Sequence, residues 1–201
     1  IVAGEPRSIN AEIIAKCWKK LNFTERKKVF VIGNFNLIKS QLDYLKLKIP
    51  LKKIKTLNHF DNKGFLNILD VELKFNKPFK IKKKEAKKYV LKCLNEALKI
   101  IEKYKISSLV TCPFNKKNLF ENNRIGLTEF LSKIDRKKKE TVMMIYSEKF
   151  AVVPLTNHIN QKIVHKKINK SLIIRKIQII LRSYKKIFGK NPKIAITGLN
   201  P

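Results

Sequence analysis

Two places in this 201-residue chain carry side chains that could do chemistry. One is His158, in the stretch Val152-Val153-Pro154-Leu155-Thr156-Asn157-His158. It stands just past an apolar run, where a strand gives way to a turn. An imidazole there can ligate a metal ion facing a cleft, hydrogen-bond within its own loop, or simply face solvent. The other place runs from Leu109 to Ile134. A short apolar segment breaks at Cys112-Pro113 into a polar turn with Asn115 and Lys116, and a second polar turn follows at Gly126-Leu127-Thr128-Glu129. Ligands of open α/β sheets sit beyond the carboxyl ends of the strands. Asn115, Lys116, Thr128 and Glu129 therefore read as a pocket wall, with an ammonium charge, a hydroxyl and amide and carboxylate groups to offer.

Most other chemistry is excluded by what is missing. The six glycines are not spaced as a dinucleotide fingerprint or a phosphate-binding P-loop. No Cys/His cluster has zinc-finger spacing, and no serine sits in a nucleophile elbow. Cys17, Cys93 and Cys112 are odd in number, far apart and set among apolar residues, which predicts reduced core thiols. Apart from His158, the histidines are His59 and His165, and neither lies in a motif.

The elements that must position these side chains alternate in type. Residues 29–34 are an apolar strand ending in turn residues, and residues 36–47 can follow as a helix. Residues 66–73 read as a strand. Residues 82–104 form an amphipathic helix, with Ala86, Val90, Cys93, Ala97, Ile101 and Tyr104 recurring at helical spacing opposite lysines. Residues 107–111 are the strand beneath the first polar turn. Residues 141–146 and 150–156 are separated only by Ser147-Glu148-Lys149, which predicts an antiparallel hairpin and hence a mixed sheet. A second long helix covers residues 171–188, with Ile173, Ile177, Ile180, Tyr184 and Ile187 on one stripe, and residues 193–197 are a last strand. Strands alternating with helices imply an α/β layered fold. No repeat, low-complexity linker or internal domain boundary is evident over residues 1–201.

A hydrophobic content of 44% in a chain of this length can build a substantial core. No apolar run approaches the roughly 18 residues that a membrane-spanning helix needs. The first residues lack the pattern of a signal peptide, so a cytoplasmic location is expected. A net charge of +31 suggests nucleic acid or an anionic membrane as partner. The composition argues against that. Of 46 basic residues, 40 are Lys and 6 Arg, beside 27 Ile and 18 Asn, and these three abundant types share A/T-only codons. A reader of phosphates and bases is expected to use more Arg, whose guanidinium pairs bidentately and stacks. The lysines are spread along the whole chain, with runs at Lys82-Lys83-Lys84 and Lys137-Lys138-Lys139 falling at element edges, so most read as solvated faces.

Five blocks in order resemble a known family: "AGEPRSINAEII", "TCPFNKKNL", "GLTEFL", "VMMIYSEKFAVVPLTNHI" and "KIAITGLNP". Their order and spacing over the whole chain are similar to those of 4-hydroxythreonine-4-phosphate dehydrogenases of pyridoxal phosphate biosynthesis. The resemblance implies a three-layer α/β/α fold with a mixed sheet, like that of isocitrate and isopropylmalate dehydrogenases, and a homodimer with active sites at the subunit interface. These relatives bind NAD without a Rossmann glycine loop. The implied reaction oxidises 4-phosphooxy-L-threonine with NAD⁺, helped by a divalent ion (Zn²⁺, Mg²⁺ or Mn²⁺) held by three histidines. His158 matches the first of those ligands. The family pattern continues past "GLNP" into segments bearing the other two, so the resemblance also implies that this chain corresponds to an N-terminal part.

The same resemblance assigns substrate contact to the second turn, where the family has Gly-His-Thr-Glu-Phe and this chain has Gly126-Leu127-Thr128-Glu129-Phe130. Thr128 keeps the hydroxyl. Leu127 can neither donate nor accept. Lys116, in the matching Pro-x-Asn-Lys turn, supplies a charge for a phosphate or carboxylate. The first turn departs as well: the family's Gly-Glu-Pro-Ala-Gly-Ile-Gly-Pro-Glu is here Gly4-Glu5-Pro6-Arg7-Ser8-Ile9-Asn10-Ala11-Glu12. Two glycines and a proline that fix unusual φ values or preset a helix start are gone.

Overall fold

The apolar run at residues 29–34 is strand β1 (Phe30–Gly33) of a parallel sheet in a computed structural model. The structure describes residues 1–60, 63–120, 127, 130–131, 141–157 and 159–198. It divides the chain into two units, Ile1–Asn122 and Asn123–Pro201, each taken by itself below.

In the first unit, β1 pairs in parallel with β3 (Leu66–Asp70), and β3 pairs with β2 (Leu51–Ile54), giving the order β1-β3-β2. The sheet continues beyond β1 through single bridges. Val2 pairs in parallel with Ile32 on one side and with Thr111 on the other. Val2 N donates to Val110 O at 2.8 Å, Cys112 N to Val2 O at 2.9 Å and Ala3 N to Ile32 O at 3.0 Å. The spatial order is thus residues 110–112, residues 1–3, β1, β3, β2.

A parallel sheet must be covered on both faces. Val31, Leu66 and Ile68 pack on one face with Ala11, Ile14, Ala15 and Trp18 of α1 (Asn10–Lys20) and with Ile38 and Leu42 of α3 (Phe35–Tyr44). Val2, Ile32 and Leu69 alternate to the other face. There α4 (Lys83–Tyr104) lies against β1 and buries Ala86, Tyr89, Val90, Cys93, Leu94, Ala97 and Ile100. This is the α/β/α layering expected. Between α1 and β1, α2 (Phe23–Arg26) is closed by a reciprocal capping box of Asn22 and Glu25.

Several details differ from what the sequence pattern predicts; among them, α1 and α2 carry no prediction, and of the strand expected at residues 107–111 a single bridge at Thr111 forms. The buried stripe of α4 includes Tyr89, Leu94 and Ile100 while Tyr104 is exposed, because the helix meets a broad sheet rather than a narrow seam. β2 was not anticipated: Lys52 and Lys53 interrupt its apolar pattern, which an edge strand tolerates. Cys17 is not a core thiol. It lies on the outer side of α1 and is exposed, whereas Cys93 and Cys112 are buried, and all three are free.

In the second unit the hairpin forms between β4 (Ile145–Tyr146) and β5 (Ala151–Val152). It is a two-stranded antiparallel sheet of its own. A short helix, α6 (Val164–Lys167), precedes α7 (Lys170–Phe188), whose N-terminus is capped by Asn169 Oδ1 accepting from Leu172 N at 2.9 Å. Tyr146 stacks on Phe188 with ring centroids 5.1 Å apart. The α7 stripe exists as amphipathic pattern, yet no residue of that helix is fully buried and Ile187 is 71% exposed. Residues 193–197 pair with no strand among the described residues.

Burial pushes the Cys93 thiol up to about 12, outweighing the lowering effects of its hydrogen bond with Tyr89 and of the Lys92 charge. As pH rises past the ordinary thiol value of 9.0, the unfolded chain releases this proton and the folded chain keeps it. The stability that Cys93 contributes is therefore complete below pH 9.0 and is lost from there up to about 12. Chemical unfolding across that window should show a shallower decline for Cys93→Ala than for the wild type. Parallel declines would mean that the thiol titrates normally in the fold.

Candidate functional site

The carboxyl ends of the parallel strands converge on three connections: Gly4 to Ile9, Asn34 to Phe35, and Pro113 to Lys116. Gly4 turns the chain out of the sheet with φ +72°. Glu5 N then donates to Pro113 O at 3.0 Å, joining the first and last connections directly. Asn10, the first residue of α1, is 3% exposed, and its Nδ2 donates to Ala3 O at 2.9 Å and Pro113 O at 2.7 Å. One amide thus ties together the ends of two strands. None of Arg7 to Asn10 adopts positive φ, so the loss of the family glycines is absorbed without left-handed backbone. Ser8 Oγ donates to Glu5 O at 2.8 Å and supports the same turn.

The second connection is built the same way. Asn34 Oδ1 accepts from Leu37 N and caps α3, its Nδ2 donates to Val71 O, and its own backbone N–H donates to the Tyr89 hydroxyl at 2.7 Å. Gln41 of α3 reaches across with Nε2 donating to Pro6 O and Pro78 O, both at 2.7 Å. Burial raises the Tyr89 hydroxyl well above the ordinary phenol value, with the neighbouring Cys93 adding to the effect. That hydroxyl keeps its proton and serves as a hydrogen-bonding group.

Two carboxylates at this edge, Glu5 and Asp70, are engaged. Glu5 Oε1 pairs with Arg7 Nε at 2.7 Å. Asp70 accepts from Phe35 N at 2.8 Å through Oδ1 and pairs with Lys53 Nζ at 2.9 Å through Oδ2. Charge-assisted bonds of this kind hold turns in place. Lys116 is exposed at the start of α5 (Lys116–Phe120), where Asn115 accepts from Asn118 N and Leu119 N and buried Leu119 anchors the helix. Lys116 thus stands exposed past the carboxyl end of residues 110–112.

Of the second turn, Leu127 is described: its backbone is helical and its side chain half-buried. Thr128 and His158 lie outside the described residues. Lys116 falls in the first unit and Leu127 in the second. On either side of position 158, Thr156, Asn157 and Ile159 line a cleft of about 390 Å³ together with Asn169, Ser171 and Arg175. Among the described residues no three His, Cys, Asp or Glu side chains group as a metal site. The clamps formed by Asn10, Asn34 and Gln41 are absent from the sequence reading. The one available signal was Asn10 in place of a family glycine, since an asparagine at a helix start often bonds nearby backbone.

Comparison with known proteins places the chain in a family. The family model described as "Pyridoxal phosphate biosynthetic protein PdxA" matches residues 25–201. The chain is 32% identical to the 4-hydroxythreonine-4-phosphate dehydrogenase of Sulfurihydrogenibium sp. (strain YO3AOP1) and 31% identical to that of Aquifex aeolicus (strain VF5). Each alignment covers all of this chain and 62% of the relative. At 25% identity it also matches a protein of Fusobacterium nucleatum subsp. nucleatum provisionally named D-threonate 4-phosphate dehydrogenase, again over 100% of this chain and 61% of the relative. Among solved structures, the 4-hydroxythreonine-4-phosphate dehydrogenase of Burkholderia phymatum superposes with TM-score 0.84 at 21% identity, over all of this chain and 62% of that one. That of Klebsiella pneumoniae gives 0.82 at 23%, with the same coverage. The structural likenesses carry the fold, and the family match carries the identity: this chain belongs to the PdxA family of pyridoxal phosphate biosynthetic proteins, and spans about 62% of the length of the curated relatives it matches.

Proposed function

We propose that this chain provides the first sheet and the first substrate-facing turns of a dehydrogenase acting on a small phosphorylated hydroxy acid, with 4-phosphooxy-L-threonine as substrate, working as a homodimer in the cytoplasm. The observation that carries the reading is the family match over residues 25–201, which includes both polar turns and position 158. NAD⁺ would accept a hydride from the substrate's secondary alcohol. The resulting β-keto acid would lose CO₂ to leave 3-amino-2-oxopropyl phosphate. A divalent ion, with His158 as one ligand, would supply Lewis acidity at the reacting oxygen. The chain's own residues bind and orient. Lys116, exposed at the strand end, meets the phosphate or carboxylate, and Thr128 offers a hydroxyl as donor and acceptor. The Glu5–Arg7 pair and the Asn10 clamp hold the adjoining turn in one shape.

The test is reduction of NAD⁺ with 4-phosphooxy-L-threonine, using protein expressed from its complete reading frame. No reduction with that substrate would overturn the substrate assignment. A second substrate belongs in the same assay. Leu127 stands where the family pattern has histidine, and one relative is named for D-threonate 4-phosphate. Turnover of that compound alone would make the protein a sibling oxidoreductase on another phosphorylated hydroxy acid.

A polyanion-binding role, from a different class, is the remaining alternative, raised by the net charge of +31. Lysines scattered as these are should give weak, sequence-indifferent nucleic-acid binding that fades steeply with salt. At about 150 mM salt the dissociation constant should be no tighter than roughly micromolar. Selective binding well below that concentration would favour the alternative.

A further inference from the structure

The side chain of Asn10 is only half accounted for by the clamp it forms. Nδ2 donates to Ala3 O, to Pro113 O and, at 3.4 Å, to Glu5 O, which fixes the amide with its nitrogen toward those three acceptors. Its Oδ1 is buried and has no donor among the described residues. Buried amide oxygens without a donor are rare in folded proteins, and ordered water is the common remedy. Beneath the Gly4-Glu5-Pro6 turn lies a cavity of about 10 Å³ whose walls include Asn10, Gln41 and Tyr89. That is room for one water molecule and nothing larger.

The polar atoms left over around this cavity match what a water needs. Gln41 Nε2 is committed to two carbonyls, so Gln41 has its Oε1 acceptor to offer. The Tyr89 hydroxyl accepts from Asn34 N and keeps one proton to donate, with the weak acceptor Cys93 Sγ as its other choice. We propose that this cavity is a built site for a single internal water, which donates to Asn10 Oδ1 and Gln41 Oε1 and accepts from the Tyr89 hydroxyl. Three hydrogen bonds are the usual complement of a buried water. The water joins α1, α3 and α4 beneath the turn that carries Glu5 and Arg7. The site also goes with a feature of this chain: where the family pattern has glycine, no amide oxygen would need a donor.

A crystal structure of the protein expressed from its complete reading frame, at a resolution that shows ordered water, tests this directly. One density peak within hydrogen-bond distance of Asn10 Oδ1 is expected. In solution, the Asn10 side-chain NH₂ protons should show cross-relaxation to a long-lived water. A dry cavity, or a protein donor turned onto Oδ1, would overturn the proposal. In Asn10→Leu the water should be lost, since the variant removes the acceptor Oδ1 and sets an apolar side chain against the two partners that remain, Gln41 Oε1 and the Tyr89 hydroxyl. The same peak persisting in that variant would show that Asn10 does not hold it. Should Asn10→Leu fail to fold, the wild-type density and cross-relaxation still decide.

Discussion

Replacing His158 by alanine in the protein expressed from its complete reading frame should abolish both divalent-metal retention and NAD⁺ reduction, with turnover falling by more than about 100-fold. The size follows from the kind of group removed. Losing a residue that merely supports a metal ligand already costs about 10–100-fold. Removing a ligand from a catalytic site with three protein ligands leaves two, and the ion no longer stays bound at working concentrations. A control lies seven residues on: His165, exposed on α6, is outside the family blocks, and His165→Ala should change turnover by less than about 2-fold. Metal content measured on the purified variant separates ligand loss from a folding defect. If metal and turnover both survive His158→Ala, the ligand assignment is wrong and so is its share of the proposed chemistry.

The contrast between the two units explains which elements could be read in advance. β1, β3, α3 and α4 announce themselves because each meets its neighbours through a regular apolar pattern, and burial then follows the pattern: Val31, Ile32 and Leu66 to Leu69 are all nearly inaccessible. β2 carries only Leu51 and Ile54 as apolar residues, and its place at the sheet edge is decided by pairing with β3, which no local pattern encodes. Residues 193–197 illustrate the converse. Lys193-Ile194-Ala195-Ile196-Thr197 alternates as a strand should, yet a strand is a pairing, and no partner stands beside it among the described residues. Ile194 and Ile196 are accordingly exposed. α7 has helical periodicity and a good cap, which local sequence specifies, while its burial depends on surfaces that periodicity cannot name.

The candidate site shows the same division. A polar turn after an apolar strand is a local signal, and the structure has Lys116 in such a turn, past the carboxyl end of residues 110–112. The clamps could not be read. Asn10 and Pro113 are 103 residues apart, and Gln41 meets Pro78 from the other side of a helix and two strands. Such contacts exist only once the strand order is known. The departures Arg7, Ser8, Asn10 and Ala11 suggested a changed backbone, whereas the change lies in hydrogen bonding: an amide donor now performs the joining role at a turn that the family pattern builds with glycine.

Gly4→Ala should be among the most damaging single substitutions in the first unit, costing about 2–5 kcal/mol of stability. Two independent terms add. A non-glycine residue at φ +72° carries a left-handed penalty of about 1–2 kcal/mol. In addition, a Cβ at Gly4 would stand 2.6 Å from Asn10 Nδ2, 2.6 Å from Pro113 O and 2.8 Å from Cys112 O. Two of these atoms are backbone carbonyls on the strand that Cys112 N ties to Val2 O, so they cannot retreat without opening the sheet. Overpacking of this kind typically costs about 1–3 kcal/mol. For a chain of this size a loss of 1 kcal/mol lowers the melting temperature by about 2–4 °C, so a drop on the order of 10 °C is expected. Gly64→Ala separates the terms. Gly64 also has positive φ, +94°, but a Cβ there would meet nothing within 4 Å, so that variant carries backbone strain alone. The measurement is paired thermal unfolding of the two variants against the wild type. Equal losses would show that the turn can relax around an added methyl, and that the Asn10–Pro113 clamp is softer than its 2.7 Å bond indicates.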